Sequence, residues 1–175
     1  DLSYSGLFGQ HEAAIQYFAT SHIIADDLGI STTFQNDFIA RLEDHPGNKD
    51  TLLAVVSDFF IQNNKDLKES ESQDLSSYVL VGGWIEGMYL GTKFVNKEAN
   101  ATGVRNIITN QRDAINNLVL LLNNIKTEPA TESIVKELEV IKEVYERTEG
   151  EITDEDLSII TLQIESIREY ILGLT

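Results

Sequence analysis

The chain has 175 residues, 42% of them hydrophobic, which is enough for one globular domain with a sizeable core. Its 29 acidic residues against 13 basic give a formal net charge of −16, a surface that repels phosphate backbones and anionic headgroups and disfavours nucleic acid as a partner. There is no cysteine, which removes disulfides, thiolate nucleophiles, zinc–thiolate sites and iron–sulfur clusters.

Only two prolines, Pro46 and Pro129, interrupt the chain, so long helices are allowed. The first helix is predicted from Ser3 to Leu28. Tyr4, Phe8, His11, Ile15, Phe18, His22 and Ala25 recur on one face, and Gly29 stands as the stop. Ser31 or Thr32 caps a short second helix with Phe34, Phe38, Ile39 and Leu42 inward. His45-Pro46-Gly47-Asn48 reads as a turn. The third helix covers Lys49 to Glu69, with Leu52, Leu53, Val56, Phe59, Phe60 and Leu67 as its stripe. The fourth covers Asp74 to Val95 and is apolar on nearly every side, the pattern of a helix buried all round. The fifth covers Ala101 to Lys126, with Val104, Ile108, Gln111, Ile115, Leu118, Leu122 and Ile125 in one stripe. The sixth covers Glu132 to Thr148. The seventh is capped by Thr153, with Leu157, Ile160, Ile164, Ile167 and Ile171 inward and three acidic residues at the positive end of the helix dipole.

The fourth helix carries the candidate site. Gly83, Gly87 and Gly91 are spaced four apart, so they share a face, although each interior glycine costs about 1 kcal/mol against alanine. Such a face admits either a closely crossing helix or a ligand. Glu86 stands between Trp84 and Tyr89 in an apolar stretch, and a buried carboxylate needs a partner or a proton. Arg105, Arg112 and Gln111 are the partners expected on the next helix. Glu86 is thus half of a structural ion pair, an edge position reaching water, or a functional carboxylate in a pocket walled by Tyr78, Trp84 and Tyr89. The residues singled out as a ligand or partner groove are Tyr78, Gly83, Trp84, Glu86, Gly87, Tyr89, Gly91 and Gln111.

Other signals are weaker. His11 and His22 lie about 16 Å apart along one helix, too far to share a metal. His22 and Asp26 are one turn apart. The Asp154-Glu155-Asp156 run lacks the oxygen-and-glycine pattern of a calcium loop. No nucleophile elbow and no phosphate-binding glycine loop is visible in the sequence. No enzyme activity, cofactor or metal is therefore expected. The longest apolar run, Tyr78 to Leu90, is too short and too interrupted for a membrane span.

Two resemblances add to this reading. Gly9 to Ile30, GQHEAAIQYFATSHIIADDLGI, is similar to the second helix of a tetratricopeptide repeat. It covers about half of one repeat, and nothing downstream repeats it. Asp1-Leu-Ser-Tyr4, the Gly47-Asn48-Lys49-Asp50 turn, Val79 to Thr92 (VLVGGWIEGMYLGT) and Ile152-Thr-Asp154 resemble an uncharacterised family of exported helical proteins of gut-type bacteria, predicted lipoproteins. The stretch Gly82 to Gly87 is its most specific piece. That resemblance implies a signal peptide and an extra segment before Asp1, and the absence of Met at position 1 fits a piece of a longer chain. It implies an exported, periplasmic or envelope-anchored location, with the cytoplasm as the alternative, and membrane contact only through an upstream lipid anchor. It brings no activity or catalytic residues.

The expectation is an all-α chain: a single domain, 1–175, folded as an up-and-down helical bundle of six or seven helices around a buried glycine-rich central helix. The expected function is that of a non-enzymatic cell-envelope binding or interaction module with a protein or small-molecule partner. The alternative is a tetratricopeptide-like protein–protein interaction scaffold.

Overall fold

The structure is a computed structural model that describes residues 1–27, 40–41, 44–45, 48–69, 73–98, 101–125 and 128–173. The chain is all-α, and among the described residues it forms eight helices. These are α1 (Leu2–Leu7), α2 (His11–Asp27), α3 (Lys49–Glu69), α4 (Gln73–Lys97), α5 (Thr102–Thr109), α6 (Arg112–Asn123), α7 (Pro129–Arg147) and α8 (Asp154–Ile171). They fall into two compact units, Asp1–Ser76 and Ser77–Thr175.

In the first unit, the helix expected from Ser3 to Leu28 is broken. Phe8 caps α1, and Gly9 takes φ +66°, a left-handed turn that glycine adopts without a side-chain penalty. The Gly9 N–H donates to the Gly6 carbonyl at 3.2 Å and the Gln10 N–H to the Ser5 carbonyl at 2.8 Å, which satisfies the loose carbonyls of α1. The break shifts the phase of the helix that follows. Ala14, Phe18 and Ala25 are buried in α2, while Tyr4, Phe8 and Ile15, expected inward, are exposed. Short α1 packs on both α2 and α3. Gly6 lets it close on α3, where a Cβ at Gly6 would meet Leu53 and Val56 methyls at 3.6 Å. The core here is Leu2, Ala14, Phe18, Leu52, Val55 and Val56. Helix α3 has the predicted bounds, and the Asn48 side chain caps it by accepting from the Thr51 N–H at 3.0 Å. The short second helix predicted around Phe34 to Leu42 lies outside the described residues apart from Ala40 and Arg41.

In the second unit, α6 packs on α7 and α7 on α8 through short connections, the order of an up-and-down bundle. Val81, Ile85 and Met88 of α4 enter the same core as Ile108, Ile115, Leu122, Leu138, Ile141, Ile160 and Ile164. The predicted fifth helix is split in two at Asn110 and Gln111. There the Asn110 side-chain amide donates to the Asn106 carbonyl at 2.8 Å and that of Gln111 to the Ile107 carbonyl at 3.0 Å, offering the backbone an alternative to continuing the helix. Pro129 opens α7 at a first-turn position where its missing N–H costs nothing. Thr153 caps α8 in a reciprocal box with Asp156. Ile171, expected inward, is exposed at the end of α8.

Helix α4 is continuous, as predicted, but it is not buried on every side. Val81, Ile85, Met88 and Thr92, spaced four, three and four, face the core. The opposite face is open, with Val79 51%, Leu80 57%, Leu90 44% and Phe94 49% exposed. Apolar character all round therefore does not mean burial all round. It reflects a helix with one core face and one outward apolar face.

Candidate functional site

Seven of the eight residues singled out from the sequence lie on α4, and the helix fans them around its axis. Trp84 points towards the α5–α6 turn, where its indole N–H donates to Gln111 Oε1 at 2.9 Å. Tyr78 shares a 2.9 Å hydroxyl–hydroxyl hydrogen bond with Thr131 at the start of α7. Glu86 and Tyr89 point towards α8. Tyr78 and Tyr89 share a flank but stand about three turns apart, Trp84 lies on another flank, and each leans on a different neighbour. They do not converge on Glu86 as the walls of one pocket.

The partner of Glu86 is Arg168, not Arg105, Arg112 or Gln111. Arg168 Nε donates to Glu86 Oε2 at 2.7 Å, and a second guanidinium nitrogen approaches Oε1 at 3.5 Å. The guanidinium also lies over the Tyr89 ring, 4.2 Å from its centroid. The hydrogen bond from Arg168 to Glu86 holds the guanidinium's pKa above its ordinary value. About two turns further along α4, Lys93 Nζ pairs with Glu165 at 2.6 Å, and that hydrogen bond raises the ammonium's pKa. Both pairs are part-exposed, so they set the register of α8 on α4 more than they stabilise it. The expected partners are engaged elsewhere. Arg105 bonds Asp154 at 2.7 Å and the Ile152 carbonyl at 2.8 Å, and Arg112 donates to the Thr148 carbonyl.

The glycine row is split between two environments. Gly91 meets α5, where an added Cβ would stand 3.5 Å from the Ile108 Cδ1 methyl. Gly83 and Gly87 are exposed, and among the described residues an added Cβ there would meet nothing within 4 Å. They form a notch in the middle of the outward face, with Val79 and Leu80 on one side along the axis and Leu90 and Phe94 on the other. These four large residues were missed as site residues. Their spacing with Gly83 and Gly87 is legible, but nothing in a uniformly apolar helix says which face stays open. The strip runs about 22 Å along the helix by the rise per residue. Its flanks are closed by the Glu86–Arg168 and Lys93–Glu165 pairs on one side and by Trp84–Gln111 on the other.

A second feature is polar. The buried carboxylate of Asp156 sits in an open hollow of about 460 Å³ at the start of α8. Burial alone would raise its pKa. The N–H and hydroxyl of Thr153, the hydroxyl of Thr148 and the Arg147 guanidinium outweigh that and hold it down at about 2. These bonds tie the end of α7 to the start of α8 and already satisfy the carboxylate. His22 Nδ1 lies 3.2 Å from Asp26 one turn away in α2. Among the described residues, no three His, Cys, Asp or Glu side chains are placed to hold a metal, and no helix is long and apolar enough to cross a membrane.

No family model, no curated protein and no solved structure matches the chain.

Proposed function

We propose that the protein is a non-enzymatic binding and interaction module of the bacterial cell envelope, and that it docks through the outward face of α4. The supporting observation is the strip of Val79, Leu80, Leu90 and Phe94, each more than two-fifths exposed, around the Gly83–Gly87 notch. Together these residues present about 400 Å² of largely apolar surface, within the range of the largest patch on a typical monomer, which is often functional. The polar groups around it are already used inside the chain: Glu86 by Arg168, Trp84 by Gln111 and Tyr78 by Thr131. What remains for a partner is an apolar, notched helix face with a polar rim, which suits packing rather than acid–base chemistry. The envelope location rests on the resemblance carried by Gly82 to Gly87.

Hydroxyl-radical footprinting tests the docking surface without naming the partner. Val79, Leu80, Leu90 and Phe94 should be protected in intact cells relative to the dilute purified chain. Equal reactivity in both would overturn the reading, and protection confined to α2 would favour the tetratricopeptide-like scaffold instead. Fractionation of the native gene product tests the location; recovery in the cytoplasm would overturn it.

A further inference from the structure

We propose that the partner on this face is a second copy of the chain, its α4 crossing antiparallel over the Gly83–Gly87 notch. The inference rests on the reading of the outward face as a docking surface and adds who occupies it.

Four of the six strip residues are symmetric about the level of Ile85: Gly83 and Gly87 stand two residues either side, and Leu80 and Leu90 five. A reversed copy centred there sets Gly83 against the partner's Gly87 and Leu80 against the partner's Leu90. Every contact then occurs twice, which is what a two-fold interface requires. With nothing within 4 Å of a Cβ at Gly83 or Gly87, the two backbones can approach closely at the crossing. Antiparallel helices also set opposite dipole ends side by side.

Charge permits the pairing despite the net −16 of each copy. The only charged residues of α4 between Val79 and Phe94 are Glu86 and Lys93. Both lie off the strip and are paired within their own chain. Repulsion between copies therefore acts from the rest of the surface, at distances that salt screens. Two strips together offer about 850 Å² at most, the size of a weak, transient contact rather than of a stable interface. A weak, reversible dimer is the expectation, with a dissociation constant on the order of hundreds of micromolar.

Analytical ultracentrifugation of the full chain tests this. The expected result is a monomer–dimer equilibrium that tightens as salt is raised. Leu90→Glu and Phe94→Glu should each weaken the dimer by at least about tenfold, with unchanged helical circular dichroism. Leu120→Glu, at an exposed leucine of α6, should leave it as it is. The absence of native cysteine gives a direct test of register. Mixed Leu80→Cys and Leu90→Cys chains should form a disulfide, whereas Leu80→Cys alone should not, since antiparallel crossing holds its two copies about 15 Å apart. Efficient self-linking of Leu80→Cys would overturn the antiparallel register. A chain that stays monomeric at every concentration and salt, while the strip is still protected in cells, would overturn the second copy and leave the docking face standing. Loss of both signals would remove both readings.

Discussion

Replacing Gly83 and Gly87 by alanine separates the two things the notch does. Glycine in a helix interior is about 1 kcal/mol worse than alanine because the unfolded chain loses more freedom on folding. Ordinarily a buried glycine offsets that by close packing, and an added methyl then clashes. Here, among the described residues, an added Cβ at either position meets nothing within 4 Å, so no clash subtracts from the gain. Each substitution should stabilise the monomer by about 0.5–1 kcal/mol, and the pair by about 1–2 kcal/mol. For a chain of this length that raises Tm by roughly 2–4 °C per kcal/mol. Thermal circular dichroism on dilute protein reads it. The same methyl groups stand between two crossing helices, so ultracentrifugation should show the double variant dimerising more weakly while it melts later. A fall in Tm for either single variant would mean that the folded chain fills the notch, and the docking argument would fail with it.

The other predictions concern the framework behind that face. Asp156 has its pKa depressed to about 2, so its contribution is fully present above the ordinary carboxylate pKa and is lost as pH falls from about 4 to about 2. Asp156→Asn should cost about 2 kcal/mol at neutral pH and flatten the acid limb of the stability profile; an unchanged acid limb would show that the carboxylate is not bonded as described. The buried Tyr145 hydroxyl donates to the Ile108 carbonyl at 2.6 Å, and burial pushes its pKa up, so it remains a donor in ordinary buffers. Tyr145→Phe should lose about 1 kcal/mol by urea denaturation, and no loss would mean the carbonyl is satisfied without it. Glu86→Gln should cost at most about 1 kcal/mol, less at high salt; a larger, salt-independent loss would show the Glu86–Arg168 pair to be more deeply buried than its geometry indicates.

Most of the helical content was legible because periodicity and caps agree locally. The bounds of α3, the Thr153 cap of α8 and the continuous run of α4 all follow from residues close in sequence. The two breaks were harder for different reasons. Gly9 lies within the stretch predicted as one helix, yet its left-handed turn divides it, and Ile15 faces outward on α2. Gln111 fitted the stripe of the fifth helix, and only the competing bonds of Asn110 and Gln111 to the backbone show why the helix divides there. In the site, the glycine spacing and the need of Glu86 for a cation were visible. The cation itself was not, because Arg168 is 82 residues away and its meeting with Glu86 depends on how α8 lies on α4. The outward apolar face was hidden by the very uniformity of α4: hydropathy ranks residues, but only packing decides which of two apolar faces is covered.

That separation in sequence has a bearing on how the chain leaves the ribosome. Helix α4 is apolar on both faces, and the residues that close its flank arrive only with Glu165 and Arg168. At ordinary elongation rates the 82-residue interval lasts roughly 5–15 s. During it, α5 to α7 emerge and bring Ile108, Ile115 and Leu138 to the core face of α4, while the flank that α8 will close stays open beside the exposed Leu80 and Leu90. Nascent chains on neighbouring ribosomes would meet in that window with more apolar surface bare than the finished protein shows, which makes the emergence of α8 the step that separates orderly assembly from aggregation.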